Sequence, residues 1–65
     1  MQPHQQRVVD EKTELHKKAT ALSNFIGTNP IFDDLDADEQ ERLREQNDVM
    51  WKYYEILCAR IAAFI

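Results

Sequence analysis

Apolar residues in the first part of the chain recur at helical spacing. Steps of seven, four, three and four residues separate them, so they share one narrow face of a helix that should pack on a second helix. Pro3 suits the first helical turn, and Gly27 suits the left-handed position that closes a helix. The pattern predicts a first helix over about residues 4–26. The apolar face consists of Val8, Leu15, Ala19, Leu22 and Ile26.

A break follows this first helix. Asn29 precedes Pro30, a position that disfavours helical geometry, and Asn29 also suits the cap of a single turn over residues 30–34. Asp36 and Glu39 have the spacing of a capping box at the start of another helix. We therefore predict a turn over residues 27–36 and a second helix over about residues 37–64.

The second helix carries apolar residues on three lines, which is more than one partner helix can cover. The line that should face the first helix consists of Leu43, Met50, Leu57 and Phe64, with Asn47, Tyr54 and Ile61 beside it. A second line consists of Val49, Tyr53, Ile56, Arg60 and Ala63. A third consists of Trp51, Cys58, Ala62 and Ile65. The two flanking lines need neighbours that one chain cannot supply.

These patterns predict an all-α fold. We expect a single domain over residues 1–65, a two-helix antiparallel hairpin with a short connecting turn, which assembles into a homo-oligomeric helical bundle. Burial of a few exposed apolar side chains per subunit, at about 25 cal/mol per Å², favours assembly by several kcal/mol before the costs of association. The residues expected at the oligomer interface are Val49, Trp51, Tyr53, Ile56, Ile61 and Phe64.

Composition narrows the function classes. Cys58 is the single cysteine, so no disulfide is expected within the chain, and no Cys/His spacing suggests a metal or a cofactor. The net charge is −4, with eight carboxylates between Asp33 and Asp48, which argues against binding DNA or RNA. The polar start lacks an apolar signal-peptide core and the apolar end is too short to cross a membrane, so we expect a cytoplasmic protein.

Candidate chemistry is limited to binding. No nucleophile–base set or glycine-rich phosphate loop is present, so we do not expect an enzyme. Arg7 and Glu11 lie on one flank of the first helix, either as a solvated pair or with Arg7 as an anion-binding group. Arg60 and the tyrosines should approach that end of the hairpin. The aromatic residues either fill the core and interface or stack on a ligand.

One pattern of residues runs along most of the chain. It consists of Gln5 to Leu15, then Lys18, Leu22 and Phe25-Ile26, then Phe32, Leu35, Gln40 and Leu43, and finally Gln46, Met50, Tyr54, Leu57 and Arg60-Ile61. With this pattern the chain resembles a family of very small phage and prophage helical-hairpin proteins. It is similar to the hairpin domain of the phage nucleotide sponges that counter CBASS and Thoeris immunity. The chain departs from the usual pattern at Trp51, Lys52 and Cys58.

The resemblance implies a counter-defence protein in the host cytoplasm. Such a protein holds a nucleotide-derived immune messenger, of the cyclic oligonucleotide or cyclic ADP-ribose type, without cleaving it. The partners implied are further copies of the chain and a small anionic nucleotide. The ligand-binding residues implied are Gln6, Arg7, Glu11, Tyr54 and Arg60. The alternative is a small phage interaction or structural protein that docks on a host or phage protein through its apolar second helix.

Overall fold

The computed structural model describes residues 1–64, and its regular structure is entirely helical. Helix α1 spans Pro3–Thr28, the short helix α2 spans Pro30–Asp34, and helix α3 spans Ala37–Ala62. The predicted all-α class is confirmed, with no strand within residues 1–64. Ile65, which the sequence places on the third apolar line, lies outside the described residues.

Helix α1 extends past its predicted end because Gly27 does not close it. Gly27 keeps helical geometry without a positive φ, and Thr28 continues the helix, its hydroxyl donating to the Asn24 carbonyl at 2.7 Å. The helix stops at Asn29, which is extended at φ −90° and ψ 121°. The physical reason is Pro30, whose ring disfavours helical geometry in the preceding residue. Proline chemistry, and not glycine, ends α1.

Two side-chain caps set the start of the remaining helices. Asn29 Oδ1 accepts from the Ile31 amide at 2.9 Å, and Asp36 Oδ1 accepts from the Glu39 amide at 2.9 Å. The second half of the expected capping box is not formed, because the Glu39 carboxylate pairs with Arg42 Nε at 2.8 Å. Helix α3 ends at Ala62, two residues before its predicted end. The caps therefore fix both helix starts as expected.

Helices α1 and α3 lie side by side and run in opposite directions. Ser23 contacts Asn47 and Trp51, whereas His16, two turns earlier in α1, contacts Trp51 and Tyr54, later in α3. The contacts thus advance along α3 as they move back along α1. Apolar side chains fill the seam between the helices. They are Val8, Leu15 and Leu57 at the centre, with Met50, Tyr54, Ile61 and Phe64 packed against them.

The connector closes one end of the helix pair. Phe32 is buried and meets the Phe25 ring edge-to-face at 6.1 Å, while the Arg44 guanidinium lies over Phe32 at 5.2 Å. Gln40 Nε2 donates to the carbonyls of Phe32 and Leu35 at 2.9 and 3.2 Å. These contacts anchor α2 to α3 and to the end of α1.

One apolar line of α3 has no cover in the single chain. Val49, Tyr53 and Ile56 remain 62%, 41% and 49% exposed, although they follow one another at helical spacing. Three other residues predicted at the oligomer interface also make contacts within the chain, since Trp51 contacts α1 and both Ile61 and Phe64 join the seam. Within residues 1–64, no helix combines the length and apolar character needed to span a bilayer.

Candidate functional site

A groove of about 280 Å³ opens beside the seam, halfway along the helix pair. Helix α1 supplies two lysines, a threonine and a histidine, and α3 supplies a tyrosine. Helical spacing explains the grouping, because residues three to five apart in one helix lie within about one turn of each other. The lining residues are Lys12, Thr13, His16, Lys17 and Tyr54.

One wall of the groove is aromatic. The rings of His16 and Tyr54 lie 5.3 Å apart and are tilted by 46°. Trp51 supports both from behind, meeting His16 at 5.7 Å and Tyr54 at 5.5 Å, each nearly edge-to-face. Such geometry is favourable for aromatic pairs and holds the rings in defined orientations. A planar ligand ring would find a stacking surface here.

The groove lining also includes two lysines from α1. Lys12 is half-buried, and Lys17 is exposed with its Nζ 3.4 Å from Glu14 Oε1. An exposed pair of this kind is worth at most about 1 kcal/mol, so Lys17 can exchange Glu14 for another anion at little cost. The groove therefore presents two ammonium groups beside a ring wall in a chain whose net charge is −4.

The Tyr54 hydroxyl lies near the Cys58 side chain. Hydrogen bonding with Cys58 and the charge of that group raise the pKa of Tyr54 from its ordinary value of 10.0, and partial burial acts in the same direction. Tyr54 is thus neutral throughout the physiological range. A neutral phenol beside the lysines adds no negative charge that would repel an anion.

Comparison with known proteins assigns the family. The family model described as Sequestin matches residues 2–63, which is nearly the whole chain. The chain belongs to the Sequestin family. No curated protein and no solved structure matches the chain. The family name denotes sequestration, in agreement with the resemblance to small sequestering proteins drawn from the sequence.

The structure places the predicted ligand residues of this Sequestin family member on different sides of the helix pair. At about 100° per residue, the sequence separation of nine from Arg7 to His16 puts Arg7 on the opposite side of α1 from the groove. Glu11 lies about 140° from His16 by the same count. Arg60 lies about 120° around α3 from Tyr54. Of the predicted set, only Tyr54 lines the groove.

The remaining predicted polar residues are solvent-exposed in the single chain. Gln6 Nε2 donates to Asp10 Oδ1 at 2.9 Å, and Arg7, Glu11 and Arg60 are exposed. In one chain these residues do not converge on a site with Tyr54. A site that combined Arg7 with Tyr54 would need a second copy.

The ligand-binding residues predicted from the sequence did not include Lys12, His16 or Lys17, which line the groove. The sequence does show that Lys12 and His16 are four residues apart and so share a side of α1. That side borders the apolar face on the flank opposite Arg7. The flank could be matched to Tyr54 only once the packing of α1 on α3 was known.

A second cleft, of about 510 Å³, lies where the two chain ends meet. Its lining consists of Met1, Gln2, Gln5 and Phe64. It is larger than the groove, but among residues 1–64 no charged side chain and a single aromatic ring line it. The groove between Lys12 and Tyr54 is therefore the better match for an anionic, ring-containing ligand.

Proposed function

We propose that this protein sequesters a small nucleotide-derived messenger in the groove, by binding alone and without cleavage. The observation that carries the proposal is the combination of the His16 and Tyr54 rings with Lys12 and Lys17 around one groove. Membership of the Sequestin family supports the sequestering role. The finer assignment to a cyclic oligonucleotide or cyclic ADP-ribose signal is our extension of it.

The rings and the lysines of the groove suit the base and the phosphate of a nucleotide. A base stacks on the tyrosine and histidine rings, an interaction worth about 1–3 kcal/mol per base in proteins that bind single-stranded nucleic acid. A phosphate takes the lysine ammonium groups as charge-assisted hydrogen-bond donors. In this arrangement a phosphate displaces Glu14 from Lys17, whose Nζ and carboxylate oxygen are 3.4 Å apart in the free protein.

Sequestration needs no chemistry at the bound molecule. A protein that is present in excess over its ligand, at concentrations above the Kd, lowers the free ligand concentration by mass action. For an immune messenger this keeps the signal below the level that its receptor requires. We propose that the chain is phage-encoded and acts in this way in the cytoplasm of the infected cell, as a counter-defence protein.

The proposed assembly is a two-helix hairpin that associates with further copies of itself. The exposed line of Val49, Tyr53 and Ile56 on α3 is the surface that supports this part of the proposal. A standard protein interface covers about 800 Å² per partner. The whole surface of the chain is 4863 Å², so one such contact would cover about one sixth of it.

Titration calorimetry of the purified protein against cyclic dinucleotides, cyclic trinucleotides and cyclic ADP-ribose isomers tests the function. We expect at least one ligand to bind with micromolar or lower Kd and to be recovered chemically intact by chromatography. Lys17→Gln should weaken that binding. Lys52→Gln is the matched control, because Lys52 forms a comparable exposed pair with Glu55 at 3.6 Å, away from the groove. Absence of binding across the panel would refute the proposal.

The same exposed line on α3 also favours one alternative function, docking on a different protein. An amphipathic helix face at this spacing fits an apolar groove of a partner. Light scattering separates the two functions, since self-association predicts a mass of at least two chains at micromolar concentration. A stable monomer that recovers one stoichiometric host protein and binds no nucleotide would favour docking.

A further inference from the structure

The Ser23 hydroxyl is the polar link between the two long helices. Both side-chain hydrogen bonds found between α1 and α3 within residues 1–64 pass through it. Its O–H donates to Asn47 Oδ1 at 2.8 Å, and its oxygen accepts from the Trp51 indole N–H at 2.9 Å. The hydroxyl thus acts as donor and acceptor at once, in a part-buried position outside the groove lining.

Trp51 contacts both Ser23 and the rings that line the groove. Its ring does not line the groove, but it meets His16 at 5.7 Å and 82° and Tyr54 at 5.5 Å and 81°. Both of those rings do line the groove. A rotation of the indole would therefore remove edge-to-face support from the two ligand-facing rings together.

The indole orientation depends on its acceptor. A half-buried N–H that loses its hydrogen-bond partner is unfavourable, and the side chain gains by turning the N–H towards water. We propose that Ser23 is a positioning residue for the groove: it holds Trp51, and through Trp51 it fixes the orientation of His16 and Tyr54 for stacking on a ligand ring. This inference rests on the sequestration proposed above.

The chain supplies internal controls for a test by nuclear magnetic resonance. It contains two histidines, two tyrosines and one tryptophan, so the ring signals are few. His16 and Tyr54 adjoin Trp51, whereas His4 and Tyr53 are exposed. We expect Ser23→Ala to move the ring signals of His16 and Tyr54 towards their values in unfolded peptides and to leave those of His4 and Tyr53 in place. Ser23→Thr, which keeps the hydroxyl, should restore the original shifts.

Measurements of Kd then test whether the orientation of the His16 and Tyr54 rings affects ligand binding. The probes are cyclic di-AMP, which carries rings and phosphates, and inorganic pyrophosphate, which carries no ring. Ser23→Ala should raise the Kd for cyclic di-AMP about tenfold, since part of the stacking is lost, and should leave the Kd for pyrophosphate unchanged. Helical circular dichroism verifies that the variant is folded. Equal weakening for both probes would show a general loss of structure and overturn the positioning role.

A second variant keeps the test decisive if Ser23→Ala unfolds the chain. Trp51→Phe keeps Ser23 and its hydrogen bond to Asn47 but loses the indole. It should raise the Kd for cyclic di-AMP and leave the Kd for pyrophosphate unchanged, and equal changes for both probes would overturn the inference. Unchanged ring signals in Ser23→Ala, or an undiminished affinity for cyclic di-AMP despite shifted rings, would overturn the inference. If the unaltered chain binds another cyclic nucleotide of the panel and not cyclic di-AMP, that ligand replaces cyclic di-AMP as the ring-containing probe. If it binds no member of the panel, the proposed function is refuted, while the ring shifts still report whether Ser23 holds the His16 and Tyr54 rings.

Discussion

Replacement of Leu57 by alanine tests the packing of α3 on α1. Leu57 is completely buried and packs in the seam with Val8 and Leu15. Leucine-to-alanine changes at such sites cost about 2–5 kcal/mol, through lost burial and the cavity that remains. A single core in a chain of this length supplies only about 3–5 kcal/mol. We therefore expect Leu57→Ala to lower the melting temperature by roughly 10–30 °C.

The neighbouring residue provides a matched comparison. Ile56→Ala also removes three carbons, but Ile56 is 49% exposed in the single chain. Half-burial of three carbons at about 0.8 kcal/mol each gives a cost of about 1 kcal/mol, or roughly 4–8 °C. If the exposed line is covered in an oligomer, the cost of Ile56→Ala grows and depends on protein concentration.

Circular dichroism at 222 nm, followed during heating at two protein concentrations, measures both variants. The expected order is a large loss for Leu57→Ala and a smaller, concentration-dependent loss for Ile56→Ala. A loss for Leu57→Ala of only a few degrees, or a larger loss for Ile56→Ala in dilute protein, would show that α3 presents a different face to α1. Either result would refute the packing described above.

Three further predictions follow from local contacts. Glu14→Gln should lower the Kd for a bound nucleotide about twofold in calorimetry, because it frees Lys17 from an exposed pair worth a few tenths of a kcal/mol. Cys58→Ala should lower the raised pKa of Tyr54, which an ultraviolet titration measures. In the unaltered chain, the contribution of this pKa shift to the free energy of unfolding is present below pH 10.0 and is lost as pH rises through the raised pKa. Asp36→Ala should cost about 1 kcal/mol in urea unfolding, since it removes the cap of α3.

Each of these predictions has a control within the chain. Glu55→Gln frees Lys52 away from the groove and should leave the Kd unchanged. The Tyr53 titration should not respond to Cys58→Ala, and equal changes at both tyrosines would contradict the local cause. Asp38→Ala alters the same helical turn without removing the cap, so an equal loss of stability there would indicate a helix-dipole effect instead.

The fold followed from the sequence where the physics is local. Helical spacing gave both long helices, and the side chains of Asn29 and Asp36 cap α2 and α3 as their types predict. The predicted end of α1 was too early because it relied on Gly27, and glycine tolerates a left-handed conformation without requiring it. The proline two residues beyond the helix was the stronger constraint, since it restricts the preceding residue directly.

The predicted ligand residues stay a prediction, and only one of them lines the groove. Tyr54 was expected to contact a ligand and lines the groove, but Arg7 and Glu11 lie on other sides of α1. The sequence shows which residues share a side of one helix, but not which flank of α1 meets which flank of α3. Trp51 illustrates the limit: its position on a flanking apolar line did not predict that its indole N–H donates to Ser23 on α1.

The sequence by itself determined the helical class, the two long helices, the caps and the apolar face of each helix, because these depend on neighbours within about one turn. The tertiary structure decided which polar flanks meet, and so joined Lys12, His16 and Lys17 with Tyr54 around one groove. That pairing depends on the rotation of each helix about its axis in the packed seam. The rotation of each helix about its axis is set by contacts between side chains far apart in the chain, such as Ser23 and Trp51. It therefore cannot be predicted from the residue pattern within one helix.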